Sequence, residues 1–275
     1  MQNEVFSGKL NQLIVTHIDQ RGAWFETSLG PAFLPASELN ELVVPHASLN
    51  VFILGRPGKD LRASLRLPLA QVGEFAALRV KKILPQGILF DLGRGYELPV
   101  AYDEIPFRPR AGERSLVRVE LDAEGQLCGS CRIDDFLEAP RGLKVGQPVA
   151  LMVWRSTELG IKMIINGRHE GLVYAGELAH AQPGQQLTGY VARLREDGKV
   201  DLSLNPGGRA GIDLGRQKLL QALESSGYLP LHDKSSPEEI RRLLGLSKKQ
   251  FKRAAGTLYK EQRIELTSSG IKLKV

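Results

Sequence analysis

Between Leu143 and Leu204 five short β-rich runs stand between turn signals: Pro148–Arg155, Gly160–Ile165, Glu170–Tyr174, Gln186–Leu194 and Lys199–Leu204. Val149, Leu151 and Val153 fall on one side of the first run, as in a strand that buries one face. Asn166-Gly167 and Asp197-Gly198 tolerate positive φ and mark tight hairpin turns. So many strands in so few residues leave unpaired edges unless the sheet closes on itself. The stretch is therefore expected to form a small five-stranded barrel of the OB type.

The same order of residues occurs twice more upstream, at a period of roughly 65 to 75 residues, the mark of a tandem repeat. Gly22-Ala23-Trp24-Phe25-Glu26 and Gly87-Ile88-Leu89-Phe90-Asp91 take the place of Gly160-Ile161-Lys162-Met163-Ile164. Phe33-Leu34-Pro35 with Glu38-Leu39, and Leu98-Pro99-Val100 with Glu104-Ile105, take the place of Leu172-Val173-Tyr174 with Glu177-Leu178. Arg62-Ala63-Ser64-Leu65 and Gly129-Ser130-Cys131-Arg132 take the place of the closing Asp201-Leu202-Ser203-Leu204. Pro68 and Pro140 mark boundaries between copies. With Gly146, Gly171 and Gly184, these residues resemble the RNA-binding repeat of ribosomal protein S-one, an OB-type barrel. In that family the position of Tyr174 is usually His, and the position of Lys162 is often aromatic.

After Asn205-Pro206-Gly207-Gly208-Arg209, a linker by composition, the apolar period lengthens from two to about 3.6. Leu214, Leu219, Leu220 and Leu223 lie on one stripe of a first helix ending near Gly227, and Leu229-Pro230-Leu231 reads as a short extended piece. Ser236-Pro237-Glu238-Glu239 starts a second helix that Gly245 stops, and Ser247 caps a third running to about Glu261. Arg263–Leu266 and Ile271–Val275 complete a hairpin. This order is that of a winged helix. The expected architecture is a multidomain chain, with three small all-β OB-fold barrels in tandem (1–67, 68–138 and 139–207) followed by an α+β winged-helix domain (208–275). Such a chain resembles the conserved virulence factor B family of bacterial RNA-binding proteins. The resemblance is carried most distinctively by Gly227-Tyr228-Leu229-Pro230-Leu231-His232-Asp233-Lys234-Ser235 and Leu246-Ser247-Lys248-Lys249-Gln250-Phe251-Lys252. It implies RNA binding and a role in post-transcriptional regulation.

Charge agrees with an anionic partner without identifying one. The formal net charge is +6, and from Arg209 onward there are 14 basic against 7 acidic residues, so the excess belongs to the tail. No apolar run approaches the roughly 18 residues that span a bilayer, and the amino terminus lacks an export signal, so a cytoplasmic protein with no membrane partner is expected. Cys128 and Cys131 form a C-x-x-C on an expected strand, with no further ligands at zinc spacing, and are read as two reduced structural thiols. The five histidines are scattered, and neither H-E-x-x-H nor G-x-x-x-x-G-K-[ST] occurs. A non-enzymatic protein with no cofactor, no metal and no catalytic residue is therefore expected.

An OB barrel binds nucleic acid on the face of its second and third strands. Trp24, two residues after Gly22, points away from Ala23 and Phe25 and is a stacking platform, a cap on the core or a contact with the next barrel. The matching face of the third copy offers Lys162, Tyr174, Arg193 and Arg195, and that of the second offers only Leu89 and Ala101, so the second is read as a spacer or an interdomain packing module. In the tail, Lys248, Lys249, Lys252, Arg253 and Lys260 occupy the outer side of the third helix, for phosphate contact or merely as a solvated face. The expected partner is single-stranded RNA. Duplex DNA contacted through the winged helix, and a ribosome-associated role, stay open as alternatives.

Overall fold

The computed structural model describes residues 5–175, 177, 178 and 180–274. The chain groups into two compact units. One comprises Met1–Glu138 with Met152–Trp154 and Gln182–Gln185, and the other holds the remaining residues.

The first barrel is built from β1 (Leu10–Asp19), β2 (Gly22–Phe25), β3 (Ala32–Pro35), β4 (Ser48–Leu54) and β5 (Leu61–Ser64). They close in the order β1-β2-β3-β5-β4, with β3 and β5 parallel. Alternation sends Val15, Ala23, Phe25, Leu34, Val51 and Ile53 inward, where all are fully buried. The second set is β6 (Phe75–Leu84), β7 (Gly87–Gly93), β8 (Tyr96–Ala101), β9 (Arg114–Leu121) and β10 (Leu127–Ser130). The third is β11 (Pro148–Thr157), β12 (Gly160–Ile165), β13 (His169–Tyr174), β14 (Gln186–Leu194) and β15 (Val200–Ser203), closed in the order β11-β12-β13-β15-β14.

The second barrel stops just short of closure. Its sheet runs β10-β9-β6-β7-β8, and among the described residues no ladder joins β8 to β10. Strand register shows why. Trp24 faces Phe33, Leu89 faces Pro99 and Lys162 faces Leu172 across β2–β3, β7–β8 and β12–β13. Pro99 therefore holds the place from which Phe33 and Leu172 pair with the closing strand, opposite Arg62 and Asp201. Proline brings no N–H to a ladder. The two strands still touch, since a Cβ on Gly129 would lie only 2.8 Å from Leu98 Cδ2. This register also moves the sequence correspondence by one residue: Pro99-Val100-Ala101, rather than Leu98-Pro99-Val100, matches Leu172-Val173-Tyr174.

Two residue types shared by the copies hold the barrels together. Gly22, Gly87 and Gly160 open the second strand of each copy at φ of 154°, 157° and 150°. A Cβ there would collide with the carbonyl oxygens of Leu34, Val100 and Val173. The repeated acid and serine form a latch. Glu38 Oε2 accepts from Ser64 Oγ at 2.7 Å and from the Leu65 N–H at 2.8 Å, and Glu177 Oε2 accepts from Ser203 Oγ at 3.0 Å and from the Leu204 N–H at 2.9 Å. In the second copy the corresponding link is main-chain, from the Cys131 N–H to the Glu104 carbonyl at 2.9 Å.

The tail is the expected winged helix: α1 (Gly208–Ser226), β16 (Tyr228–Leu229), α2 (Pro237–Leu244), α3 (Lys248–Lys260), β17 (Ile264–Leu266) and β18 (Ile271–Leu273). Val275, placed in the last strand from sequence, lies outside the described residues. Ser236 and Ser247 cap α2 and α3 in reciprocal boxes with Glu239 and Gln250. Gly245 ends α2 in the left-handed conformation. The first helix starts at Gly208, inside the stretch read as linker. Gly207 serves as its cap and its carbonyl accepts from the Gly211 N–H at 3.1 Å, so glycine content concealed a helical turn. Leu219, Leu223, Ile240, Phe251 and Leu258 form the core under the β16-β18-β17 sheet.

Candidate nucleic-acid interface

On the first barrel Ala23 and Phe25 are fully buried, and Trp24 turns outward as alternation requires. It is neither an isolated platform nor sealed under protein. The His17 ring lies parallel to it (centroids 5.8 Å apart, planes 9° apart), and Phe33 leans on it at 4.8 Å. Asp19 accepts from the indole Nε1 at 3.2 Å and so fixes the ring's rotation. The Asp19 carboxyl is held below the usual aspartate range first by the Arg21 backbone N–H, then by Trp24, Gly22 and the Arg21 side chain, against the opposing pull of partial desolvation. The Arg21 guanidinium lies 5.4 Å from the indole centroid. The result is a three-ring apolar surface, partly open to solvent, across β1, β2 and β3. Phe33 and His17 escaped the sequence reading. The alternation that exposes Trp24 would have exposed Phe33, since Leu34 beside it is buried, whereas His17 enters only through the β1–β2 pairing.

The third barrel uses its outer face differently. Lys162 lies on β12 and is bound to Glu170 at 2.8 Å. Tyr174, 40% exposed, is bound by both members of an ion pair: Arg195 donates to its oxygen, and its hydroxyl donates to Asp201 Oδ1 at 3.3 Å. Arg195 and Asp201 are themselves 2.8 Å apart. Arg193, across the β14–β15 pairing from Asp201, is exposed and carries no ion pair among the described residues. Tyr174, Arg193 and Arg195 thus gather around Asp201, which sequence reasoning had not included. On the second barrel the corresponding face carries Leu89, Pro99 and Ala101, with no ring at the stacking position.

In the tail the five cations do not act as one patch. Lys248 and Lys260 are about 18 Å apart along α3 at 1.5 Å per residue. Lys252 is bound to Asp233 at 2.8 Å, and this contact, with the nearby Lys248 and His232, lowers the Asp233 pKa. Lys249 and Arg253, one turn apart, join Arg241 in lining a cleft of about 610 Å³. Tyr190, Ser203 and Asn205 of the third barrel line the same cleft, and its acid Glu177 is already engaged by the latch. Lys260 stands exposed at the far end of α3.

Cys128 and Cys131 are both free thiols. Burial, with a smaller contribution from Glu104, pushes Cys131 up to about 12. Among the described residues no group of three or more His, Cys, Asp or Glu is arranged to hold a metal ion, and no described helix is long and apolar enough to cross a membrane.

Residues 217–273 match a family described as the CvfB-like winged helix domain. The chain is 24% identical over 269 residues to the uncharacterized protein YitL of Bacillus subtilis, covering 94% of this chain and 90% of that protein. It is 26% identical over 233 residues to conserved virulence factor B of Staphylococcus epidermidis, covering 81% of this chain and 78% of that protein. A crystal structure of a multidomain protein with nucleic acid binding domains from Streptococcus pneumoniae aligns over 98% of both chains at 24% identity, with a TM-score of 0.42.

Proposed function

We propose that the chain, whose residues 217–273 match the CvfB-like winged helix domain and which is similar to conserved virulence factor B over most of its length, binds single-stranded RNA. In this reading it does so without catalysis, as a cytoplasmic post-transcriptional regulator. The observation that carries the proposal is the ring stack of His17, Trp24 and Phe33 on the outer face of the first barrel. Bases in a duplex are already covered above and below, so an outward aromatic surface finds its partner in an unpaired strand. The cations beside Tyr174 and those lining the cleft next to α3 would hold phosphates. RNA rather than DNA rests on the resemblance of the strand pattern to the ribosomal S-one repeat.

Docking of α3 in a DNA major groove is the weaker reading. Lys249 and Arg253 line a cleft shared with the third barrel, and Lys252 is tied to Asp233.

The test is a fluorescence titration with homopolymeric RNAs and with duplex DNA of matched length. Trp24 and Trp154 are the only tryptophans, and Trp154 is buried. Stacking should quench the Trp24 signal and leave that of Trp154. Trp24→Ala and Tyr174→Ala should each weaken RNA binding roughly 5- to 150-fold, the equivalent of 1–3 kcal/mol per stacked base. Unchanged affinity in both variants, with folding intact, removes the stacking mechanism. Tighter binding to duplex, lost on Lys249→Glu with Lys252→Glu, would replace it with the DNA reading.

A further inference from the structure

Most cations with acids in reach on the first two barrels are paired with them. Arg21 binds Asp19, Arg56 binds Asp60 and Glu124, Lys81 binds Glu97, Arg118 binds Glu120 and Arg132 binds Asp135. Three exposed arginines that lie near one another, Arg62, Arg66 and Arg94, carry no ion pair among the described residues. Their placement continues the aromatic row. Arg62 is registered against Phe33 across the parallel β3–β5 pairing, on the outer face, because Leu61 and Ala63 on either side are buried. Three strand spacings of about 4.8 Å separate it from His17, so rings and cation occupy one strip on the order of 14 Å wide.

Arg66 follows, just past the latch. Tyr96 of β8 donates to the Arg66 carbonyl at 3.0 Å and sets its ring edge-on to Phe52 of the first barrel at 5.7 Å. This fastens the second sheet to the exit of the first. Burial raises the Tyr96 hydroxyl's pKa, while Ser64, Arg66 and Arg62 pull it back. Arg94 stands at the tip of the β7–β8 hairpin between two glycines, at φ 54°, where glycine or asparagine is the ordinary occupant. Arg66 and Arg94 line one open concavity of about 750 Å³ with Leu65, Leu67 and Gly95. The nearby acids are already engaged, Glu38 by the latch and Asp91 by the Gly93 N–H at 2.9 Å.

The geometry points to a continuous single-strand track: a base stacks on Trp24 and Phe33, and the phosphates that follow are held by Arg62, Arg66 and Arg94. The second barrel, read from sequence as a spacer or packing module, then takes part through its hairpin tip. This rests on the proposed single-stranded RNA binding and adds the path of the strand and the length of RNA engaged.

The experiment uses the full chain, with salt titrations of a tetranucleotide and a dodecanucleotide of oligouridine. Each phosphate contact in a single strand contributes about 0.7 to the slope of log K against log salt. Arg66→Gln with Arg94→Gln should therefore flatten the dodecanucleotide slope by about 1.4 and leave the tetranucleotide, confined to the ring stack, almost unchanged. A control with Lys59→Gln and Arg168→Gln removes two exposed charges elsewhere and should leave both slopes as they were. If the wild-type protein binds and quenches Trp24 fluorescence but the arginine variant keeps its slope, the track is wrong and the function stands. An equal loss in the control also overturns the track. If the wild-type protein binds neither oligonucleotide, both fall together.

Discussion

Asp233 shows how one side chain sets what a cation can do. It occupies Lys252 at 2.8 Å and lies close to Lys248. Asp233→Asn releases Lys252 and is expected to tighten RNA binding roughly two- to threefold at low salt, the modest effect of an exposed, screened ion pair. An RNA titration at two salt concentrations checks it, and weaker binding by the variant would contradict the role given to α3. Because the Lys252 contact depresses the Asp233 pKa, the pair persists through neutral pH and is lost only as the pH falls below the ordinary aspartate range. Cys131 has the opposite sign. The folded chain keeps this thiol protonated to about 12, whereas the unfolded chain ionises it near the usual thiol value. Across that window the unfolded state gains, so stability declines as pH rises through it. A thiolate-directed reagent at mildly alkaline pH should label Cys131 only after denaturant is added, and rapid labelling of the native protein would show the site to be open.

At the scale of elements the repeated acid and serine are structural. Glu38 and Glu177 each tie the turn after the third strand to the end of the fifth through a hydroxyl and a backbone N–H. Hydrogen bonds to a charged group contribute about 1.5–3 kcal/mol, so Glu38→Ala should lower the unfolding free energy by that order while leaving the Trp24 surface chemically intact. Equilibrium unfolding in urea measures it, and a variant as stable as the parent would discount the latch. The barrels were legible because alternation and glycine positions are local signals, and because the acid and the serine each recur at matching places in three copies. The third copy's strands fall within two residues of their expected bounds at each end. What failed to show were consequences of pairing. The one-residue shift around Pro99 appears only when β7 is laid against β8, and the engagement of Lys162, Arg195 and Lys252 by acids depends on contacts between residues separated along the chain. The winged helix was legible from caps and apolar spacing, except where glycines at the start of α1 concealed a turn.

At the scale of the whole molecule, the proposed RNA binding makes the chain a string of modest binders. With aromatic residues at 6% and one ring cluster on the first barrel, no module offers enough stacking surface to hold RNA tightly alone. Linking them converts later contacts into intramolecular ones at high effective concentration. The modules are not equally durable. Among the described residues the middle sheet meets itself at β8 and β10 without a ladder, because Pro99 stands at the meeting point, and a main-chain link replaces the carboxylate latch of its neighbours. Under mild denaturant that seam should unzip before the flanking barrels, so a protease of broad specificity will make its first cuts between residues 75 and 130. Pro99→Val, which restores an amide hydrogen there, should raise the denaturant concentration at which those cuts begin.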